Sequence, residues 1–227
     1  GDRQHDAELA RLHAALVLTL RGTPFLYNGE EIGMTDLIIT DPAKLRDTMA
    51  TWYYDSAVND LKVDPEEAAR RAGEMSRDKN RTPMQWSHQP NAGFSPADVE
   101  TWLPANPDYT HGINVRDQDH NPNSLLNYYR RILQVRKQNP ALIAGEYQPV
   151  HETAAEYVAF LRKSEEQMVL VVLNFSDRAQ DLDFSPVKDI DGQNLRILFS
   201  SAERQLTTKP PHGLTVSAFE VLIAEIQ

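Results

Sequence analysis

The residues best suited to chemistry in this sequence lie in one short segment, GTPFLYNGEEIGM, at positions 22–34. An apolar run ends there at Asn28, a glycine follows, and Glu30 and Glu31 come next. Carboxylates accept hydrogen bonds and pair with cations, so one of the two can bind a ligand hydroxyl while the other pairs with a neighbouring cation. The residues alone leave a second interpretation open, in which both glutamates are ordinary loop charges.

A helix and a strand are expected to position this segment. The sequence predicts a helix that begins at Asp6, a suitable N-cap, and ends where Gly22 and Pro24 prevent its continuation. Residues 23–28 (TPFLYN) then predict a short buried strand. A helix joined to a strand by so few residues has the spacing of an α/β unit. In (β/α)₈ barrels the residues just past each strand face the active site, and Asn28 and the two glutamates occupy that position.

Residues 35–120 form the longest irregular stretch. The sequence predicts one helix there, over residues 65–73, with Asp64 as its N-cap and Pro65 at its first position. A loop of this length inside a compact domain is usually functional. Three tryptophans argue against disorder, because they bring large apolar areas that need burial. They are Trp52, Trp86 and Trp102.

The pattern changes in the last part of the chain. A helix is predicted over residues 121–139, and after it short runs rich in valine, leucine, isoleucine and phenylalanine alternate with turn residues. The predicted strands are residues 156–162, 168–175, 195–200 and 219–225. They indicate an antiparallel all-β domain, most simply a β-sandwich.

These elements predict an α+β chain with two domains. Residues 1–145 are expected to be the C-terminal part of a catalytic (β/α)₈ TIM barrel, that is, its last helix–strand units, with a long insertion at residues 35–120. Residues 146–227 are expected to be an antiparallel all-β C-terminal domain.

Composition and charge exclude several classes of partner. The formal net charge is −10, which argues against nucleic acid and anionic membranes, because both bind surfaces rich in lysine and arginine. The sequence contains no cysteine, so disulfides, thiolate metal sites and cysteine nucleophiles are excluded. No apolar run approaches the roughly 20 residues that span a bilayer. We therefore expect a cytoplasmic protein without membrane or nucleic-acid partners, and a neutral ligand such as a sugar is compatible with the charge.

One group of acidic residues could suggest a metal site. Asp117, Asp119 and Asn121 resemble the opening of a Ca²⁺ loop. However, Pro122 stands where that loop needs glycine, and Tyr128 stands where it needs a bidentate glutamate. We expect no metal ion and no cofactor.

Several ordered segments resemble family 13 glycoside hydrolases of the α-amylase superfamily. The segment at 22–34 is similar to the eighth barrel strand of the α-glucosidase and oligo-1,6-glucosidase branch, from which it departs at Asn28, where that branch has glutamine. SRDKNRTPMQW at 76–86 is similar to a second block of that branch. Further blocks follow in the expected order. They are NAGFS at 91–95, WLP at 102–104, NV at 114–115, SLL at 124–126 and RKQNP at 136–140.

The resemblance implies substrate-binding roles for Arg81, Glu30, Glu31 and Asn28. The arginine of the second block helps to hold the terminal glucose at the subsite next to the cleaved bond in the enzymes that it resembles. A planar guanidinium offers rigid paired donors that suit a carboxylate and a hydroxyl together. The alternative for Arg81 is a surface salt bridge. The neighbouring Arg77 and Asp78 are expected to brace the loop.

The resemblance also implies that the catalytic carboxylates lie before residue 1. The family uses an aspartate nucleophile, a glutamate acid/base and a second aspartate, and in retaining enzymes the first two carboxyl groups are about 5–5.5 Å apart. We therefore expect the whole protein to be a retaining α-glucosidase that releases terminal α-linked glucose from oligosaccharides or disaccharides. The 227-residue chain alone is expected to be inactive, and its exposed barrel edges are expected to favour self-association.

Three alternatives stay open at this stage. The protein can be a transglycosylating relative, such as a trehalose synthase or sucrose isomerase. It can be a non-catalytic amylase-like protein, as in the ancillary subunits of amino-acid transporters. Finally, residues 146–227 can be an independent carbohydrate-binding module, an alternative weakened by the absence of tryptophan from that part of the sequence.

Overall fold

The computed structural model describes residues 4–202, 204, 208, 209 and 213–227. These residues form two compact units. The sheet unit comprises the described residues up to Phe25 together with those from Asn127 onward, and the insertion unit is Leu26–Leu126. The two ends of the chain therefore belong to one unit, and the central segment forms the other.

The described part of the chain contains both helices and strands. The helices are α1 (Asp6–Thr19), α2 (Thr48–Asn59), α3 (Pro65–Met75), α4 (Val115–Asp119), α5 (Leu125–Gln138) and α6 (Pro140–Ala144). The strands are β1 (Glu146–Val150), β2 (Tyr157–Lys163), β3 (Met168–Asn174), β4 (Gln180–Leu182), β5 (Leu195–Ser200), β6 (Thr208–Lys209), β7 (Leu214–Val216) and β8 (Val221–Ile226). None of the helices described is long and apolar enough to cross a membrane.

An antiparallel sheet dominates the sheet unit. Its strand order is β1-β2-β3-β8-β5-β6, and β4 pairs with β7 in a second, two-stranded sheet. Leu170 and Val172 on one face of β3 belong to a buried core that includes Leu182 of β4 and Val216 of β7. On the opposite face Val171 is also fully buried, and α1 packs against β3 and β8. Because both faces of β3 are covered, its sequence is a nearly continuous apolar run instead of an alternating one.

Two arginines hold the C-terminal end of α1, whose own last turn contains no basic residue. The Arg162 side chain is fully buried, and its guanidinium donates hydrogen bonds to the carbonyl oxygens of Thr19 (2.5 Å), Leu142 (3.2 Å) and Gly145 (2.8 Å). Arg136 donates to two further carbonyls at the end of α1. A cation at a helix C-terminus is favourable because the last carbonyls lack partners and carry partial negative charge. Arg162 therefore joins strand β2 to the ends of α1 and α6.

The insertion unit contains more helix than the sequence predicted. The helix predicted at 65–73 is confirmed as α3, and the Asp64 carboxylate accepts hydrogen bonds from the amides of Glu66 and Glu67 as predicted for an N-cap. Helix α2 was missed by the sequence analysis, which treated this region as irregular. Asp47 caps it, but its mixed aromatic and β-branched composition gives it no clear apolar stripe.

The strand predicted at residues 23–28 is not formed. These residues lie outside the strands of the described chain, and the Phe25 side chain is 86% exposed. A strand is stabilised by hydrogen bonds to a neighbour, and none of the described strands pairs with this segment. The helix predicted from residue 121 also begins later, at Leu125, because the Asn121 side chain accepts a hydrogen bond from the amide of Asn123 and forms a turn instead.

Candidate functional site

Two glutamates stabilise the turn that follows the apolar run. The amide of Tyr27 donates to Glu30 Oε2 (3.1 Å), and the amide of Gly29 donates to Glu31 Oε2 (2.9 Å). Gly29 has a backbone φ of +95°, which residues other than glycine rarely adopt. This conformation lets the chain reverse immediately after the exposed Asn28. Both carboxylates are therefore used, at least in part, to fix the backbone. Roles in ligand binding for the two glutamates and for Asn28 stay predictions.

A hydrogen bond connects this turn to the segment SRDKNRTPMQW at 76–86. The hydroxyl of Tyr27 donates to the carbonyl oxygen of Asn80 (2.9 Å), the residue before Arg81. Arg81 lies at the end of a 3₁₀ turn, and its amide donates to the carbonyl of Asp78 (3.0 Å). Its side chain is exposed, and among the described residues it makes no hydrogen bond or ion pair. The surface salt bridge considered for Arg81 is therefore not present in the described part of the chain, and a role for its guanidinium in ligand binding stays a prediction.

Arg77 and Asp78 brace the loop that carries Arg81, as the sequence analysis predicted. The buried Asp47 carboxylate accepts hydrogen bonds from Nε (3.0 Å), Nη2 (3.0 Å) and the amide (2.9 Å) of Arg77. These bonds hold the pKa of Asp47 well below its usual range. One oxygen of the buried Asp78 carboxylate accepts from the amides of Arg46 (2.6 Å) and Asp47 (2.8 Å). The backbone on which Arg81 stands is therefore fixed by carboxylates that lie out of solvent.

The end of the same segment packs into the insertion unit. Met84 is buried and belongs to the same small core as Ile32 and Leu126. Trp86 is instead half exposed. Its carbonyl oxygen accepts a hydrogen bond from the amide of Arg116 (3.0 Å), and so the start of α4 is tied to the segment.

A buried glutamine that the sequence analysis missed joins the segments. The Gln118 side chain donates to the carbonyl of Ile32 (2.7 Å) and accepts from the amide of Leu126 (3.1 Å). It therefore connects the glutamate turn, which contains Ile32, to the first turn of α5. Local spacing gave no signal for this role, because Ile32 lies 86 positions from Gln118 along the chain.

Asp117, one of the residues weighed as a metal ligand, is held by Asn114, the N-cap residue of its own helix. Asn114 Nδ2 donates to its carboxylate (2.7 Å), and its amide donates to Asn114 Oδ1 (2.9 Å). The bond from Asn114, together with His88 nearby, lowers the pKa of Asp117. The residues that the structure describes contain no group of three or more His, Cys, Asp or Glu side chains that could hold a metal ion.

Comparison with known proteins identifies the family. Residues 1–145 match the family described as Alpha amylase, catalytic domain. The chain belongs to the alpha-amylase family. Residues 147–223 match a second family, Maltogenic Amylase, C-terminal domain.

The curated relatives of this alpha-amylase family member include glucosidases of the expected branch. It is 35% identical to the probable oligo-1,6-glucosidase 2 of Bacillus subtilis (strain 168) over 175 residues. This match covers 77% of this chain and 31% of that protein. It is 36% identical over 182 residues to the glucan 1,6-alpha-glucosidase of Streptococcus pneumoniae serotype 4, covering 80% of this chain and 33% of that protein. The predicted branch is thereby confirmed. The chain spans about a third of the length of these relatives.

A solved structure extends the likeness over the whole chain. An isomaltulose synthase variant from Erwinia rhapontici NX5, solved in complex with its natural substrate sucrose, has 31% sequence identity and a TM-score of 0.78, with 100% of this chain and 40% of that chain covered. This likeness confirms the predicted fold class, the last helix–strand units of a (β/α)₈ barrel followed by an antiparallel β domain. Residues 23–28 nevertheless form no strand in this chain.

Proposed function

We propose that this chain is the C-terminal portion of a retaining α-glucosidase that releases terminal α-linked glucose from oligosaccharides or disaccharides. The observation that carries the proposal is the exposed Arg81 guanidinium, without a partner among the described residues, on a loop fixed by Arg77 and Asp78. A charged group that stands on a fixed backbone and is not paired can bind a ligand without first breaking an existing interaction. Its planar donors suit a sugar hydroxyl and a carboxylate at the same time.

In this proposal the two predicted domains have different roles. Residues 1–145 contribute the last part of the barrel, and the insertion at 35–120 contributes a wall of the substrate pocket. Residues 146–227 form the C-terminal β domain. The nucleophile, the acid/base and the second aspartate belong to the barrel outside this chain. Glu30 and Glu31 are assigned no catalytic role in this proposal, and each accepts a hydrogen bond from an amide of its own turn.

Kinetics of the full-length protein test this proposal. We expect hydrolysis of an aryl α-glucoside by the full-length protein and none by the 227-residue chain alone. Arg81→Ala should lower kcat/KM by about 10- to 100-fold, the effect of losing a charged hydrogen bond to the substrate. Arg70→Ala is the matched control, since Arg70 is an exposed arginine of the same unit that pairs with glutamates of its own helix.

Two results would contradict the proposal. Activity on the interior of α-glucans, with none on the small glucoside, would remove the exo-glucosidase assignment. A near-wild-type kcat/KM for Arg81→Ala would assign Arg81 to structure alone.

A second candidate function is transglycosylation. The likeness to an isomaltulose synthase favours it, because that protein is a synthase whose natural substrate is the disaccharide sucrose. Product analysis with sucrose separates the two candidates: glucose and fructose indicate hydrolysis, and an isomeric disaccharide indicates transglycosylation.

We also propose that the isolated chain self-associates and that the whole protein is cytoplasmic, with no membrane or nucleic-acid partner and no cofactor. The exposed side chains of Phe25 and Tyr27 support the first point, since exposed aromatic groups favour association. Light scattering of the 227-residue chain at several concentrations tests self-association, and a monomer at all of them would refute it. Cell fractionation tests the location.

A further inference from the structure

Asn28 and Gly29 form the only asparagine–glycine pair in the sequence. Such a pair is open to deamidation, because glycine has no Cβ to hinder its backbone nitrogen or to restrict its rotation. The nitrogen of Gly29 loses its proton and forms a bond to Cγ of Asn28, while the Cγ–Nδ2 bond breaks and Nδ2 takes up a proton and leaves as ammonia. Water then opens the five-membered imide at either carbonyl, which gives aspartate or isoaspartate.

The turn exposes the asparagine and requires the glycine. The Asn28 side chain is exposed, so solvent water reaches the imide. Gly29 has a positive φ, and a Cβ at this position would collide with the Met34 side chain, so a bulkier residue that hinders ring closure does not fit. Glutamine, which the resembling branch has in place of Asn28, would have to close a six-membered ring, which is a slower reaction. The pair in this chain is therefore the more reactive one.

The Glu31 carboxylate acts directly on the attacking nitrogen. The amide of Gly29 donates a hydrogen bond to Glu31 Oε2 (2.9 Å), and the proton in this bond is the one that must be lost before attack. A hydrogen bond to the neutral N–H and a negative charge beside it both disfavour the anionic nitrogen. The carbonyl oxygen of Gly29 also accepts from the amides of Ile32 (3.2 Å) and Met34 (3.0 Å). Gly29 is thereby held on both sides, which restricts the rotation that ring closure needs.

We propose that Asn28 is a deamidation site and that the Glu31 carboxylate slows its conversion in the folded protein. Opening of the bond between Gly29 and Glu31 exposes the pair to the reaction. The product carries a new negative charge beside Glu30 and Glu31, and like charges repel. Isoaspartate also lengthens the backbone by one carbon atom in a turn where Gly29 is closely packed. The inference does not depend on the proposed hydrolytic function.

Peptide mass spectrometry after incubation near neutral pH tests the proposal. Trypsin cuts after Arg21 and Lys44, and the peptide 22–44 contains Asn28 but no other asparagine and no glutamine. The mass gained when an amide becomes an acid in this peptide therefore reports Asn28 alone. The 227-residue chain is incubated folded and in concentrated urea. We expect conversion in urea, where the bond to Glu31 is absent, and conversion about tenfold slower in the folded chain, the effect of a hydrogen bond to a charged group.

Substitutions in the folded chain separate the role of Glu31 from that of the turn. Glu31→Ala should raise the rate by about tenfold, and Glu31→Gln, which keeps the shape of the side chain and removes its charge, should raise it severalfold. Glu30→Gln is the matched control, because Glu30 accepts from the amide of Tyr27 and not from that of Gly29, and it should leave the rate unchanged. Asn28→Gln should abolish the conversion.

Circular dichroism establishes that each variant is folded before incubation. If Glu31→Ala does not fold, Glu31→Gln decides. The proposal is overturned if the folded wild-type chain converts as fast as the chain in urea, or if neither change at Glu31 accelerates the conversion. Absence of conversion in urea also overturns it, because Asn28 is then not a deamidation site. None of these measurements uses glucosidase activity, so failure of the proposed function leaves the result unaffected.

Discussion

Replacement of Asp47 by alanine removes the central contact that braces the Arg81 loop. The Asp47 carboxylate caps α2 by accepting from the amide of Met49 (3.2 Å) and also accepts three hydrogen bonds from Arg77. Asp47→Ala therefore leaves the first turn of α2 uncapped and the amide of Arg77 without its acceptor.

The expected cost follows from these contacts. Loss of an N-cap costs about 1 kcal/mol, and the amide of Arg77 that loses its acceptor costs about 1 kcal/mol more. The ion pair itself receives no weight, because the Arg77 side chain is 61% exposed and solvent screens the interaction. We expect a total of about 2 kcal/mol, which lowers the melting temperature of a chain of this size by about 4–8 °C.

The lowered pKa of Asp47 also predicts how the stability of the fold changes with pH. Arg77 holds the pKa of Asp47 below its unfolded value in the folded protein, so ionised Asp47 stabilises the fold above the unfolded pKa of about 3.9. This contribution is lost as the pH falls from about 4 through the lower, folded-state pKa. Asp47→Asn keeps an oxygen that can cap α2 but cannot titrate, and it should therefore lose less stability on acidification than the wild type.

Urea unfolding at pH 7 and at pH 3, followed by circular dichroism, measures both effects. Asp55→Ala is the matched control, because Asp55 is an exposed carboxylate of the same helix. A change below about 0.5 kcal/mol for Asp47→Ala, the range of ordinary surface substitutions, would refute the bracing role. An unchanged acid response in Asp47→Asn would refute the pH argument.

Three further substitutions test the packing. Gly73→Ala would place a Cβ 2.3 Å from the backbone oxygen of Ile39, so we expect a loss of about 1–3 kcal/mol in the free energy of unfolding, measured by urea titration. Gln118→Ala should cost about 2–3 kcal/mol and speed hydrogen exchange at the amide of Leu126, which loses its acceptor; an unchanged exchange rate would refute the connecting role. Arg162→Met should lower the melting temperature by several degrees, since three buried carbonyls lose their donor; an unchanged value would show that water replaces the guanidinium.

The sequence predicted elements whose signals are local. The Asp64-Pro65 start of α3 and the apolar run of β3 both carry their information within a few residues, and both elements form near the predicted positions. The short strands β4 and β7 were missed, because three residues are too few for an alternating pattern to be recognised. Residues 23–28 have the composition of a strand, but a strand also requires a neighbour, which local sequence cannot supply.

In the candidate site, too, only the features that depend on neighbouring residues could be predicted from the sequence. The roles of Arg77 and Asp78 in the loop could be predicted because the motif carries them side by side. The connection through Gln118 could not, since it depends on the distant Ile32.

The reach of Arg162 affects how the parts of this protein can be inherited or exchanged. The two matched families meet between residues 145 and 147, yet Arg162 lies after that junction and all of its hydrogen-bond acceptors, from Thr19 to Gly145, lie before it. A chimera that takes its last 80 or so residues from a relative must therefore also supply a cation matched to the helix ends that it meets. Recombination at the family junction divides a unit that packs as one, so lineages that exchange this β domain are expected to exchange or re-adapt α1 with it.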